Sequence, residues 1–318
     1  MPKITYRPDI RDRILNRSRQ ATRTTIEQAE EIIVEYEGKG FVLTLRQLYY
    51  QFVSRGFLVN TQASYNRLGF IMTDARLAGL IDWNAIIDRT RNQVANSHWG
   101  SPTEILDTCA SQFLIDRWGT QKNRVEVWIE KEALVGVIEG TCADLDVPFF
   151  SCRGYTSASE MWRMGYERMN RFAKAGQHNI ILHLGDHDPS GMDMTNDIIK
   201  RLTLFTGKEV DLRRLALNMD QIEEFNPPPN FAKPSDKRYK KYKEEYGENC
   251  WELDALEPGY MAGLIEKEVK KIRSEKPWRV ATAIQNRMKQ KLRNVTSKVE
   301  RDDRIRQALA EKMRKGDV

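Results

Sequence analysis

Apolar residues recur at helical spacing through the first part of the chain and in strand-length runs through the middle. In "LTLRQLYYQF", residues 43–52, the positions Leu45, Leu48, Tyr49, Phe52 and the following Val53 match the i, i+3, i+4, i+7, i+8 spacing of a buried helical stripe. Thr44 stands where an N-cap belongs and Gly56 where such a helix stops. The stripe assigns Tyr49 to a core. Tyr50 lies about 100° further round the helix, off the stripe and on the face it shares with Arg46. The residues before this helix are also helical in pattern, and "FLVNTQASYNRLGFIMTDARLAGLI" adds a turn and another amphipathic helix. Short helices packed around a turn predict a helix-turn-helix or winged-helix unit.

From about residue 121 the pattern changes. "RVEVWIE" has strand character, "ALVGVIEGTCADL" helical, "VPFFSC" strand, "SASEMWRMGYERMNRFAKAG" helical and "NIILHLGD" that of a buried strand. The order βαβαβ predicts a parallel sheet with helices on its faces. "MTNDIIKRLTLF" and "LRRLALN" extend it by a helix and a strand. Residues 225–247, "FNPPPNFAKPSDKRYKKYKEEYG", are rich in proline, lysine and tyrosine and read as a loop that touches a partner. From about residue 259 the pattern is helical and basic. The expectation is an α/β protein with a helix-rich N-terminal part: one domain over 1–115 and a second over 116–318.

Composition narrows the class. The 318 residues include 51 Lys and Arg against 45 Asp and Glu, a formal charge of +6 that suits a polyanionic partner. Mean hydropathy is −0.62. No apolar run reaches the roughly 18 residues of a membrane span, and the first residues lack a signal-peptide core. These features predict a soluble cytoplasmic protein with no membrane partner. Cys109, Cys142, Cys152 and Cys250 form no CxxC pair, which predicts buried free thiols rather than disulfides or a zinc ribbon.

In open α/β sheets ligands bind outside the carboxyl ends of the strands. Two such ends carry acids: "WIEKEA" places Glu130 there, followed by Lys131 and Glu132, and "LGDHDPSG" places Asp186 and Asp188 two residues apart. In extended geometry the two aspartates face one side and His187 the other. Three carboxylates at adjacent strand ends repel one another unless a cation sits among them, and an all-oxygen set suits Mg²⁺, with Mn²⁺ as an alternative. The same "DHDPSG" also reads as a polar strand-to-helix turn with Asp188 as cap, and Glu132 as either an assisting acid or an exposed one. The histidines complete no zinc set with cysteine.

Taken in order, "TLRQLYY", "VEVWIEKEAL", "SCRGYTS", "LHLGDHDPSGMDM" and "WELDALEPGYMAGLI" resemble the topoisomerase VI A subunit and its meiotic recombination relatives. In that family a winged-helix domain carrying the catalytic tyrosine precedes a Toprim domain, and the resemblance covers about residues 40 to 270. It implies a homodimer that cleaves double-stranded DNA by transesterification, leaving a 5′-phosphotyrosyl link, with Mg²⁺ at the Toprim acids. On this resemblance Tyr50 takes the nucleophile's place, Arg46 the adjacent arginine's, and Glu130, Asp186 and Asp188 the metal ligands'. Lys131, Arg153, Lys237, Arg238, Lys240 and Lys241 are candidate DNA contacts. "CRGYT" replaces the family's GKGYP-like turn, and His187 replaces a small polar residue. The chain carries no recognisable ATPase segment, so strand passage would need a separate ATPase subunit. The length matches a short stand-alone relative of bacterial, phage or plasmid origin, nucleoid-associated if chromosomally encoded.

A tyrosine has a pKa of about 10 and attacks poorly until its proton is removed or offset. Arg46, one turn before Tyr50, can reach the phosphate or favour the phenolate. Two other functions fit the same residues: a Toprim nuclease in which metal-activated water attacks and Tyr50 is structural, and a non-catalytic DNA-binding protein.

Overall fold

A computed structural model of the chain describes residues 3–17, 20–87 and 96–315. The chain divides into two compact units, Met1–Asn92 with Arg124–Lys270, and Gln93–Asn123 with Lys271–Val318. The helices and strands are those of an α/β protein. Among the described residues no helix is long and apolar enough to cross a membrane.

The larger unit begins with helices α1 (Pro8–Asp12, continued by a π-helical turn at Arg13–Arg17), α2 (Gln20–Gly38), α3 (Leu45–Ser54) and α4 (Gln62–Leu77). Ile26, Ala29, Ile32, Ile33 and Tyr36 of α2 pack with Leu48, Tyr49 and Phe52 of α3 and Leu68, Met72 and Ala75 of α4. Thr44 caps α3 as its sequence predicts: Gln47 N–H donates to Thr44 Oγ1 at 3.3 Å and Thr44 N–H to Gln47 Oε1 at 2.8 Å, a reciprocal capping box. Gly56 follows at φ +73°, the left-handed conformation that ends the helix without a Cβ penalty. Over the described residues of this segment the strand content is a single parallel bridge, Leu43 to Ile86.

Helix α5 (Pro102–Gln112) belongs to the smaller unit. The sheet then forms from β1 (Asn123–Ile129), β2 (Phe149–Ser151), β3 (His178–Leu184) and β4 (Asp211–Ala216), in the order β2-β1-β3-β4. β1 pairs with β2, and β3 with β4, in parallel register. The connections are helices: α6 (Val135–Asp144) after β1, then α7 (Ala158–Trp162), a π-helical stretch Arg163–Met169 and α8 (Asn170–Lys174) after β2, and α9 (Pro189–Thr206) after β3. The last five residues of both β1 and β3 are buried, apolar apart from Glu126, which pairs with Arg168, and His183, which meets Thr195. Trp128 is wholly buried against Phe150, ring centroids 4.9 Å apart.

After β4 come α10 (Met219–Phe225), β5 (Asn230–Phe231), α11 (Tyr239–Tyr246), β6 (Asn249–Cys250) and α12 (Pro258–Ile272). The loop expected over 225–247 is therefore corrected. Prolines keep 227–229 irregular, but Tyr239, Tyr242 and Tyr246 share one helical face, and buried Tyr242 packs with Ala232 and Cys250. Cys142, Cys152 and Cys250 are buried free thiols as expected, whereas Cys109 is exposed. Its helix α5 buries Ala110 and leaves the preceding residue facing out.

In the smaller unit α5 packs along α13 (Glu275–Lys315). Trp118 packs on Trp278 at 5.8 Å, Gln285 Oε1 accepts the Ile115 N–H at 3.1 Å, and Gln121 hydrogen-bonds Ser274 twice, at 2.8 and 3.0 Å.

Replacing Thr44 by alanine removes a buried cap. Urea unfolding should show a loss of about 1 kcal/mol, restored by serine; an unchanged midpoint would mean that the capping box contributes nothing to this helix.

Candidate active site

The acids sit where β1 and β3 end side by side. Glu130 N–H donates to Leu184 O at 2.9 Å, which continues the strand pairing, and Glu130 Oε2 accepts the Asp186 N–H at 2.9 Å. Asp186 Oδ1 accepts the Leu253 N–H at 2.8 Å. Asp188 caps α9, its Oδ1 accepting the Gly191 N–H at 2.6 Å. A Cβ on Gly191 would lie 2.3 Å from Asp186 O, so only glycine lets the helix start this close to the strand end. Glu130, Asp186 and Asp188 line one cleft of about 870 Å³. The turn and the acid cluster are thus both present: Asp188 is cap and cleft lining at once.

His187 points the other way, as the alternation predicts, its Nδ1 2.8 Å from the Tyr242 hydroxyl and its ring against Tyr246. Burial pushes its pKa down to about 4, so it is neutral. Its backbone exchanges two hydrogen bonds of 2.9 Å with Trp251. That bridge aligns the segment after Trp251 beside the strand ends and delivers two acids not identified from sequence, Glu252 and Asp254. Their alternation in "WELDALE" places both on one face of an extended chain. What that face meets is decided by the bridge.

It meets Lys131. The ammonium lies 2.8 Å from Glu252 Oε2 and 3.0 Å from Asp186 Oδ1, and it also contacts Asp254 Oδ2. Burial alone would lower its pKa; Asp254, Asp186 and Glu252 outweigh burial and leave it raised, so it is charged. Lys131, a candidate DNA contact, lines the cleft with 19% of its side chain exposed and is held by these three acids. Arg214, half-buried, backs the cluster: its Nη2 donates to Gly185 O at 2.9 Å and to Asp186 O at 2.5 Å, and its Nη1 to Thr195 Oγ1 at 2.6 Å.

Helix α3 closes the opposite side. Ala255, from a 3₁₀ turn at Leu253–Ala255, packs against the helical core, and Arg46 pairs with Glu252 and, at 3.8 Å, with Asp254. The Arg46 guanidinium is 5.9 Å from the centre of the Tyr50 ring. Tyr50, placed off the stripe by periodicity, is nevertheless as buried as Tyr49, each 4% exposed. The reason is tertiary: Asn230 and Glu252, joined by a 3.3 Å hydrogen bond, stand over the face of α3 that the stripe leaves open. Burial and the Glu252 charge, opposed by Arg46, push the Tyr50 pKa up to about 12. Tyr49 is held elsewhere, its hydroxyl accepting the Thr61 N–H at 2.8 Å. Tyr50, Arg46, Asn230 and Glu252 line a cavity of about 150 Å³. It shares Arg46, Gln62, Asn230 and Glu252 with the acid cleft.

The remaining basic candidates lie further out. Arg153, at φ +51°, reaches the cleft rim and forks onto Glu132 at 2.7 and 3.0 Å. Arg238 forks onto Asp236, both bonds 2.8 Å, and also meets Asp193 at 3.3 Å. Lys237, Lys240 and Lys241 are exposed.

The carboxylate set fits a hard divalent ion. Burial, then the Asp186 charge, raise the Glu130 pKa to about 7. Burial raises Asp186 to about 6 against the pull of Lys131. Burial and mutual repulsion make a positive charge placed between these two acids favourable. Among the described residues no three His, Cys, Asp or Glu side chains are grouped so as to hold a metal ion by themselves. Mg²⁺ commonly takes one or two carboxylates and completes its shell with water and substrate phosphate. His178 pairs with Asp211 and His183 with Thr195, so neither is directed at a zinc centre.

Compared with known proteins, the chain matches no family model and no curated protein. The fold and site define a class by geometry: an α/β protein with a cluster of carboxylates at the carboxyl ends of parallel strands, joined through Arg46 and Glu252 to the helix that carries Tyr50.

Because its folded-state pKa is raised, Glu130 contributes stability that is present below its ordinary 4.5 and lost as pH rises through about 7. In EDTA, the Tm of wild type minus that of Glu130→Gln should therefore fall across this window. A difference independent of pH would remove the crowding argument.

Proposed function

We propose that the protein cleaves DNA by transesterification, with Tyr50 as nucleophile and Glu130, Asp186 and Asp188 as the divalent-ion site. The observation that carries this reading is the salt-bridged contact between the tyrosine helix and the acid cluster, through Arg46 and Glu252, inside one compact unit. In the resting state Tyr50 is protonated and covered. A DNA phosphate entering the cleft competes with Glu252 for Arg46. The guanidinium then binds the phosphate and offsets the charge that holds the Tyr50 pKa high, while the released Glu252 carboxylate accepts the phenolic proton. The phenolate forms the new bond to phosphorus as the bond to the 3′-oxygen breaks. Mg²⁺, or Mn²⁺, bound by the three acids would supply Lewis-acid stabilisation of the phosphate and the departing oxygen.

On this reading the N-terminal helices act as the winged-helix element and the sheet as the Toprim element of the topoisomerase VI-like arrangement. Duplex DNA is the substrate, and a second copy of the chain cuts the opposite strand. The burial of Tyr50 favours a second reading, in which water attacks at the acid cluster and the tyrosine only packs.

Supercoiled DNA incubated in Mg²⁺ or Mn²⁺ and run on denaturing gels, with and without protease, separates them. Tyr50→Phe should reduce covalent adducts more than about 100-fold while DNA binding persists, and Tyr49→Phe should retain adducts. Cleavage to free 5′-phosphate ends that persists in Tyr50→Phe would favour hydrolysis.

A further inference from the structure

The charges in the cleft do not balance, and the imbalance has a specific size. Glu130, Asp186, Asp188, Glu252 and Asp254 line it. Glu132 and Asp236, also in the lining, are each matched by their own arginine, Arg153 and Arg238. The cations in that lining or directly behind it are Lys131, Arg46, Lys233 and Arg214. One negative charge is left over. One divalent ion turns it into the single positive charge that a phosphodiester offsets, and a second would leave three.

The position of Lys131 explains why only one is needed. Its ammonium sits against Asp186 Oδ1 at 3.0 Å and Glu252 Oε2 at 2.8 Å and contacts Asp254 Oδ2. Asp186 Oδ1 also takes the Leu253 N–H at 2.8 Å, leaving Oδ2 for an ion shared with Glu130. Asp254 is 2% exposed, and its Oδ1 has no hydrogen-bond partner among the described residues. A buried carboxylate oxygen without a donor is costly unless a full positive charge stands nearby. In two-metal phosphoryl-transfer sites a pair of ions about 4 Å apart clamps the attacking and leaving oxygens. Here the second position, built by Asp186, Glu252 and Asp254, already contains a cation.

We infer that Lys131 is the resident second cation of this cleft, so that the protein takes one divalent ion per chain where a lysine-free site would take two. The inference rests on the divalent-ion site proposed above. It extends that reading by assigning the Glu252–Asp254 pair to holding the ammonium in place. Lys131 acts as a positioning and charge-balancing residue for the bound phosphate from its place in the cleft lining.

Mn²⁺ binding to the full-length chain without DNA tests this, by isothermal titration calorimetry and by equilibrium dialysis with metal quantification. Wild type should bind one Mn²⁺ per chain and Lys131→Arg one. Lys131→Gln should bind two, and Asp186→Asn should weaken binding at least about tenfold, since it removes the shared ligand. Two ions on wild type, or a folded Lys131→Gln that still binds one, would overturn the inference while leaving the metal site standing. No Mn²⁺ on wild type would overturn both. If Lys131→Gln does not fold, the wild-type stoichiometry decides alone: one supports the inference, two defeats it.

Discussion

The ammonium of Lys131 is the contact on which the site's charge depends. It neutralises an aspartate beyond β3 and the two acids that the His187–Trp251 backbone bridge brings to the end of β1. Removing one member of a buried charge set of this kind leaves the others unpaired, a loss of about 3–5 kcal/mol. The same set reaches α3 through Arg46. A single electrostatic cluster therefore sets both the position of the proposed nucleophile and the charge of the proposed ion site.

That coupling gives the resting state its character. Glu252 binds Arg46 and Lys131 together and raises the neighbouring tyrosine pKa, while Asn230 covers the hydroxyl. In the proposed reaction these are the groups that a phosphate would displace. On that reading a polyanion replacing Glu252 at Arg46 shifts the balance, so substrate binding and nucleophile activation would be one electrostatic event.

The sequence discloses what depends on local periodicity. The largely apolar runs of β1 and β3 locate the strand ends, and with them Glu130, Asp186 and Asp188; the alternation around His187 gives its direction; Thr44 marks the start of α3. It conceals what depends on segments distant in the chain. Tyr50 is exposed by helix geometry alone and is buried by Asn230 and Glu252. Lys131 has the pattern of a surface cation and is held in the cleft lining because the His187–Trp251 bridge turns two acids toward it. Helix α11 is hidden by the prolines and lysines around its three tyrosines, whose spacing was the available signal.

The identity of the attacking group is the centre of the account, and mass spectrometry reads it directly. After incubation with DNA and Mn²⁺, nuclease trimming and trypsin digestion, residues 47–55, "QLYYQFVSR", form one peptide. The account predicts that this peptide carries a nucleotide remnant on Tyr50, with Tyr49 unmodified. Cut DNA accompanied by an entirely unmodified peptide, or by a remnant on Tyr49, would contradict it.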